Sequence, residues 1–318
     1  MTVQPGAALP PDLIARALHL PGADALRSDA VLRLGGRAGF LRGDAPSVLL
    51  LGCGTGDTAA MLAAAGADVV AVDPHGPAAE ATEALLRAAD LPGRVIHAPF
   101  SRAIPDLPQL DFVAMQDGWS DAPDVDRAAI VALLGAHLRP GGAFFLTHAV
   151  TPGGAEDLPL RQLARAVWAR TDPALPLADR GAAAVALLDD ALPACHLMLR
   201  AHGGYEAEMA AIRALPPALA AERWFIADRR PESIAALGRR GRGAGLLDVA
   251  PADPMRLVRD LDLSAEQQAM ADAPAPWPAD PSEAAFLAAE LADIAARRAM
   301  RADLLLKSAP APRDMARA

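Results

Sequence analysis

Three alternating glycines, Gly52, Gly54 and Gly56, follow the apolar run Ser47-Val48-Leu49-Leu50-Leu51. An acid, Asp73, closes a second apolar run, Val69-Val70-Ala71-Val72, some twenty residues further on. These residue types at this spacing suit one kind of chemistry. Glycines let the backbone approach a ligand closely and adopt turn conformations closed to other residues. A helix that begins just after such a turn offers free N–H groups, and an acid at the end of the second strand accepts hydrogen bonds from ribose hydroxyls. The pattern reads as a site for a nucleoside-bearing cofactor. It does not spell the G-x-G-x-x-G of dinucleotide sites, and Asp57, directly after Gly56, is poorly placed for a pyrophosphate.

The elements needed to position these residues are legible downstream. Ala78 to Ala89 reads as a helix between Pro77 and the Leu91-Pro92-Gly93 breaker, and Arg94-Val95-Ile96-His97 as a third strand. Asp111 to Met115 reads as a fourth strand and Asp124 to Leu138 as a helix stopped by Arg139-Pro140-Gly141-Gly142. Ala143 to His148 reads as a fifth strand, followed by a hinge at Thr151-Pro152-Gly153-Gly154. Strands alternating with helices of this length predict an α/β fold, a doubly wound, mostly parallel Rossmann-like sheet covered on both faces. Beyond residue 155 the periodicity is mainly helical, with Leu160, Leu163 and Val167 on one face. A short helix is expected over Pro231 to Leu237, a strand at Leu246-Leu247-Asp248-Val249 and a long final helix over Ser282 to Leu306. The expected organisation is a helical cover over residues 1–40, a cofactor-binding domain over 41–154 and a mainly helical C-terminal domain over 155–318.

Composition bounds the function class. The chain has 318 residues, 53% of them hydrophobic, enough for a sizeable core, and a net charge of −9 that argues against nucleic acid or an anionic membrane as partner. Two cysteines, Cys53 and Cys195, exclude a disulfide framework and fit a reducing compartment. The start of the sequence has neither the basic nor the apolar region of a signal peptide, and no apolar run reaches membrane-spanning length. A cytoplasmic protein is expected. Cys195-His196 with His202 and Glu206 fits no standard zinc spacing, so no metal site is expected. Arg239-Arg240-Gly241-Arg242-Gly243 reads as a solvated basic turn.

The Gly52-Cys53-Gly54-Thr55-Gly56 spelling, with Asp73, resembles the glycine-rich signature of class I S-adenosylmethionine-dependent methyltransferases. Two later stretches narrow the resemblance: Asp111-Phe112-Val113-Ala114-Met115-Gln116-Asp117-Gly118-Trp119-Ser120, and Thr147-His148-Ala149-Val150-Thr151-Pro152-Gly153 after Leu138-Arg139-Pro140-Gly141-Gly142. They are similar to bacterial protein-lysine methyltransferases that carry a methyltransferase regulatory domain, with Gly118, Ser120, Pro152 and Gly153 in matching places. The order of the C-terminal half is similar too: helices, the aromatic turn Trp224-Phe225, a short helix, a strand and an arginine-rich final helix. The resemblance implies S-adenosyl-L-methionine as cofactor, held by Gly52, Cys53, Gly54, Gly56, Asp73, Pro74, Phe100 and Gln116.

It also implies transfer of a methyl group to a protein or small-molecule acceptor. An amine acceptor must first lose a proton, since free lysine titrates near 10.4. Asp117, just beyond the fourth strand, is the candidate proton acceptor, Trp119 the candidate wall of the acceptor slot and His148 a second proton-handling group. The plain alternatives are a D-G turn at Asp117-Gly118 and an ordinary loop histidine at His148. Four features depart from the family pattern: Leu50 where an acid usually precedes the glycines, Ala98-Pro99-Phe100 after the third strand, Asp117 in place of a histidine, and His148-Ala149 in place of Tyr-Asn. A small-molecule methyltransferase and a catalytically silent cofactor-binding or scaffold protein are therefore the alternative readings. No [DNS]-P-P-[FY] follows the fourth strand, which argues against nucleobase amines as acceptors.

Overall fold

The computed structural model describes residues 45–102, 104, 106–116, 118–195, 205–252, 263–273 and 280–308. The expected N-terminal helical cover and Asp117 lie outside the described residues.

Seven strands form one sheet in the order β3-β2-β1-β4-β5-β7-β6. The first five are β1 (Ser47–Leu51), β2 (Asp68–Asp73), β3 (Arg94–His97), β4 (Leu110–Met115) and β5 (Leu138–Ala149), all parallel to their neighbours among the five. Helices α1 (Asp57–Ala64), α2 (Gly76–Ala88) and α3 (Asp124–His137) connect them. β1 is the middle of this arrangement, and Val48, Leu49, Leu50 and Leu51 are buried because helices cover both faces. Alternate residues feed two cores. Leu49, Leu51, Val113 and Phe144 point to the side of Ile130 and Leu134 on α3, and Val48, Leu50, Phe112 and Phe145 to the side of Ala59 and Leu62 on α1.

The C-terminal part departs from the expected division at residue 155. After β5 the chain makes a helical insertion: α4 (Leu158–Trp168), α5 (Leu177–Ala191), α6 (Tyr205–Ala214), α7 (Pro217–Ala220) and a π-helical turn over Ala221–Ile226. It has its own core, including Leu160, Ala164, Leu188, Met209, Ile212 and Phe225. The chain then returns to the sheet through α8 (Ile234–Gly241), β6 (Leu246–Pro251), α9 (Ala265–Ala271), α10 (Pro281–Ala295) and β7 (Met300–Lys307). β7 is antiparallel to β5 on one side and to β6 on the other. The expected final helix to Leu306 therefore stops at Ala295, and none of the arginines Arg297, Arg298 and Arg301 lies on it. Leu304 and Leu305 are both fully buried on opposite faces of a central strand, which makes the run read as helix-compatible by sequence alone.

Charged groups lock β7 in place. Lys307, the only lysine in the chain, donates from Nζ to the carbonyls of Leu134 (3.2 Å), Gly135 (2.7 Å) and Leu138 (2.8 Å), so a cation sits at the C-terminal end of α3 where free carbonyls and the helix dipole favour it. Arg301 grips Asp303 through two hydrogen bonds and reaches Asp293 on α10 at 2.7 Å. Burial alone would push the Asp303 carboxyl up. The paired Arg301 guanidinium, joined by His148, overrides that and holds it well below the usual carboxylate range. The expected hinge after β5 is also packed: a Cβ on Gly153 would lie 2.5 Å from the Arg297 carbonyl oxygen, so that turn and the lead-in to β7 press together.

Candidate functional site

The strand order reverses between β1 and β4, and ligands in open α/β sheets bind at such a switch point, beyond the carboxyl ends of the strands. The residues leaving those ends include Gly52 to Gly56 after β1, and Gln116 and Gly118 after β4. They frame a cleft of about 380 Å³ lined by Gly52, Cys53, Gly54, Asp73, Gln116 and Arg223, among others. Gly52 and Gly54 have positive φ (86° and 54°), and a Cβ on either would point into open space, so these glycines serve the turn and leave its ligand side bare. Gly56 has a different task. A Cβ there would lie 2.7 Å from the Thr82 Cα, so the third glycine lets α1 pack on α2.

Asp73 is fixed by backbone donors. Its Oδ2 accepts from the N–H of Cys53 (2.8 Å) and Gly54 (3.2 Å), and its Oδ1 accepts from the N–H of His75 (2.8 Å). A carboxylate has about four acceptor sites, so Asp73 can hold the loop and still accept from a ligand in the cleft it lines. The Cys53 thiol beside it is pushed up to about 11, chiefly by burial, with the neighbouring Asp73 charge adding and a hydrogen bond with Thr82 opposing. It is a protonated packing group at neutral pH, not a nucleophile.

Residues 48–142 match the family model for a methyltransferase domain. Across the wider chain, the structure is similar to that of PKMT2 from Rickettsia typhi, with a TM-score of 0.60 at 13% identity over 92% of this chain and 54% of that one. The same protein in complex with AdoHcy gives a TM-score of 0.59 at 13% identity, again over 92% and 54%. The chain thus spans about half the length of these structures, and the likeness at this identity is one of fold. Among curated proteins, none matches the chain by sequence.

The cleft brings together Gly52, Cys53, Gly54, Asp73 and Gln116. It leaves Pro74 and Phe100 apart from them. Pro74 is exposed, its carbonyl oxygen 3.2 Å from His97 Nε2, and Phe100 lines a separate hollow with Ile104, Leu107 and Leu133. Leu50, where an acid is usual, is buried on the α1 side. Trp119 does not wall an open slot. It is fully buried, meets Phe144 edge to face at 6.2 Å and donates from Nε1 to Glu232 Oε2 at 3.0 Å. Ser120 Oγ accepts from the Ala149 N–H at 2.8 Å, and buried Arg127 donates to the Trp119 and Ser120 carbonyls. The Trp119-Ser120 pair is thus the anchor of the loop after β4.

His148 is no loop residue. It lies within β5 opposite Arg301, with its side chain fully buried and Nε2 3.6 Å from Asp303 Oδ2. Neither ring nitrogen has a hydrogen-bond partner. The residue borders a second cavity, of about 410 Å³, also lined by Asp121, Arg161, Arg223, Trp224 and Arg229. Arg223 lines both spaces. It stands on the π-helical turn, whose Glu222 approaches His75 at 3.8 Å and so carries the helical insertion to the rim of the glycine loop. Sequence reasoning missed Arg161, Arg223 and Arg229, because nothing local ties an arginine on a distant insertion to a glycine loop after β1.

Proposed function

We propose that the protein is an S-adenosylmethionine-dependent methyltransferase whose cofactor lies along the glycine loop with its ribose at Asp73. The observation that carries this reading is the union of Gly52, Gly54 and Asp73 at the switch point of a methyltransferase domain, with open space in front of both glycines. The cofactor supplies an electrophilic methyl group on a sulfonium. The chain's own work is alignment and exclusion of water. Asp73, held by three backbone donors, offers its remaining acceptor sites to ribose hydroxyls. Gln116, at the end of β4, lines the same cleft, and Arg223 closes it from the helical insertion. The acceptor enters from the side of the loop after β4, where Arg127 donates to the Trp119 and Ser120 carbonyls. Asp117, in that loop, is the proposed proton acceptor if the methyl goes to an amine.

The acceptor we favour is a small molecule, because a cavity of about 410 Å³ shares Arg223 with the cofactor cleft. A second reading, a protein-lysine acceptor, is supported by the sequence resemblance at Gly118, Ser120, Pro152 and Gly153. The test is transfer of radiolabelled methyl from S-adenosylmethionine to small-molecule extracts and, in parallel, to protein extracts. Label in the small-molecule fraction, lost in Asp73→Ala, supports the first reading. Label only on protein lysines supports the second, and no label in either sinks the enzyme.

A further inference from the structure

The second cavity has a charge that the rest of the chain does not. In a protein of net charge −9, it is lined by three arginines, Arg161, Arg223 and Arg229, and one acid, Asp121. Arg161 is spoken for: it donates to Asp157 at 2.7 Å and to the Arg223 carbonyl at 2.8 Å, and it stacks on Trp224 at 4.1 Å. Arg223 and Arg229 are not. Among the described residues neither has a carboxylate within ion-pair distance, and Arg229 Nε is buried with no hydrogen-bond partner while Nη2 meets only the Met300 sulfur at 3.0 Å. A buried guanidinium N–H without an acceptor is costly unless something supplies one. On the opposite side, fully buried His148 borders the same cavity, its Nε2 3.6 Å from Asp303 Oδ2 and its Nδ1 without a hydrogen-bond partner. Leu215, Trp224 and Met300 give the remaining walls an apolar character.

We infer that this cavity binds the anionic head of the acceptor, a small carboxylate with an apolar body. Planar guanidinium groups match a carboxylate in shape and bind it by charge-assisted hydrogen bonds, and the apolar walls take the body. An ammonium acceptor entering there would meet the like charge of three arginines, with Asp121 as the one carboxylate among the lining residues. The inference rests on the methyltransferase reading only for what happens next to the cavity: Arg223, shared by the two spaces, puts the bound anion beside the cofactor cleft.

A matched trio of probes, benzoate, benzamide and benzylamine, tests charge at constant shape. Each is titrated calorimetrically into the full-length protein, with and without saturating S-adenosylhomocysteine. Benzoate should bind about tenfold or more tighter than the other two. Arg229→Met should abolish that preference and Arg229→Lys should recover part of it, with thermal unfolding confirming the fold. Should Arg229→Met fail to fold, exposed Arg223→Met serves instead, with the same loss expected. Benzylamine binding as well as benzoate, no benzoate binding at millimolar concentration, or unchanged benzoate affinity in a folded variant would each overturn the assignment. Benzoate binding to a protein that ignores S-adenosylhomocysteine would keep the anion site and sink the cofactor reading.

Discussion

Asp73 and Cys53 show how one short loop assigns different tasks to adjacent groups. The Asp73 carboxylate both holds the glycine loop, through the Cys53 and Gly54 N–H groups, and lines the cleft. Asp73→Ala should therefore weaken S-adenosylhomocysteine on the order of 100-fold, the loss of charge-assisted hydrogen bonds plus some disorder of the loop, as read by calorimetric titration. Cys53 has its thiol pushed up to about 11. At pH 8 only about a thousandth of it is thiolate, so its alkylation by iodoacetamide should be slow and rise steadily up to pH 11, with peptide mass spectrometry as the readout. Gly56→Ala should destabilise the fold by about 2–4 kcal/mol in a urea titration, since it combines a left-handed backbone with a 2.7 Å clash at Thr82. The turn itself and the acid at the end of β2 were legible because local rules govern them, whereas Gly56, expected at the cofactor, packs α1 on α2. Trp119 and His148 were not legible. Their roles depend on Glu232, Asp303 and Arg301, partners whose proximity only the tertiary fold creates.

At the scale of elements, β1 to β5 and their helices follow from apolar runs cut by Pro and Gly, and the structure has them within a few residues of the sequence reading. β7 was read as helix because a central strand buried on both faces loses the alternation that marks a strand. Its identity is set instead by partners on either side and by the charges that fix it. Asp303→Asn should cost about 3–5 kcal/mol of stability by leaving Arg301 undercompensated in the interior. The pH dependence has a definite sign. A carboxyl held below its unfolded value of about 3.9 stabilises the fold above that pH and loses its contribution as the pH falls further. Acid titration of folding below about pH 4 should thus be steeper for the parent protein than for Asp303→Asn, measured by circular dichroism.

For the whole molecule, the sheet is not complete until the last described strand is in place. Since β7 bridges β5 and β6, a chain ended after Arg298 should lose cooperative unfolding, although the matched methyltransferase segment at 48–142 is untouched. The helical insertion has its own core, yet it brings Arg223 to the cleft and Glu222 to within 3.8 Å of His75, as the proposed acceptor-shaping role requires. Sequence patterns located the glycine loop and Asp73, which lie within one βαβ unit, and fell short on the second cavity, which is assembled from segments far apart in the chain. The central claim is that the glycine loop and Asp73 hold S-adenosylmethionine, and its most direct test is calorimetric titration of the full-length protein with S-adenosylmethionine and S-adenosylhomocysteine. Saturable micromolar binding of both, lost in Asp73→Ala while the fold is retained, is the predicted result; absence of binding by folded parent protein would contradict it.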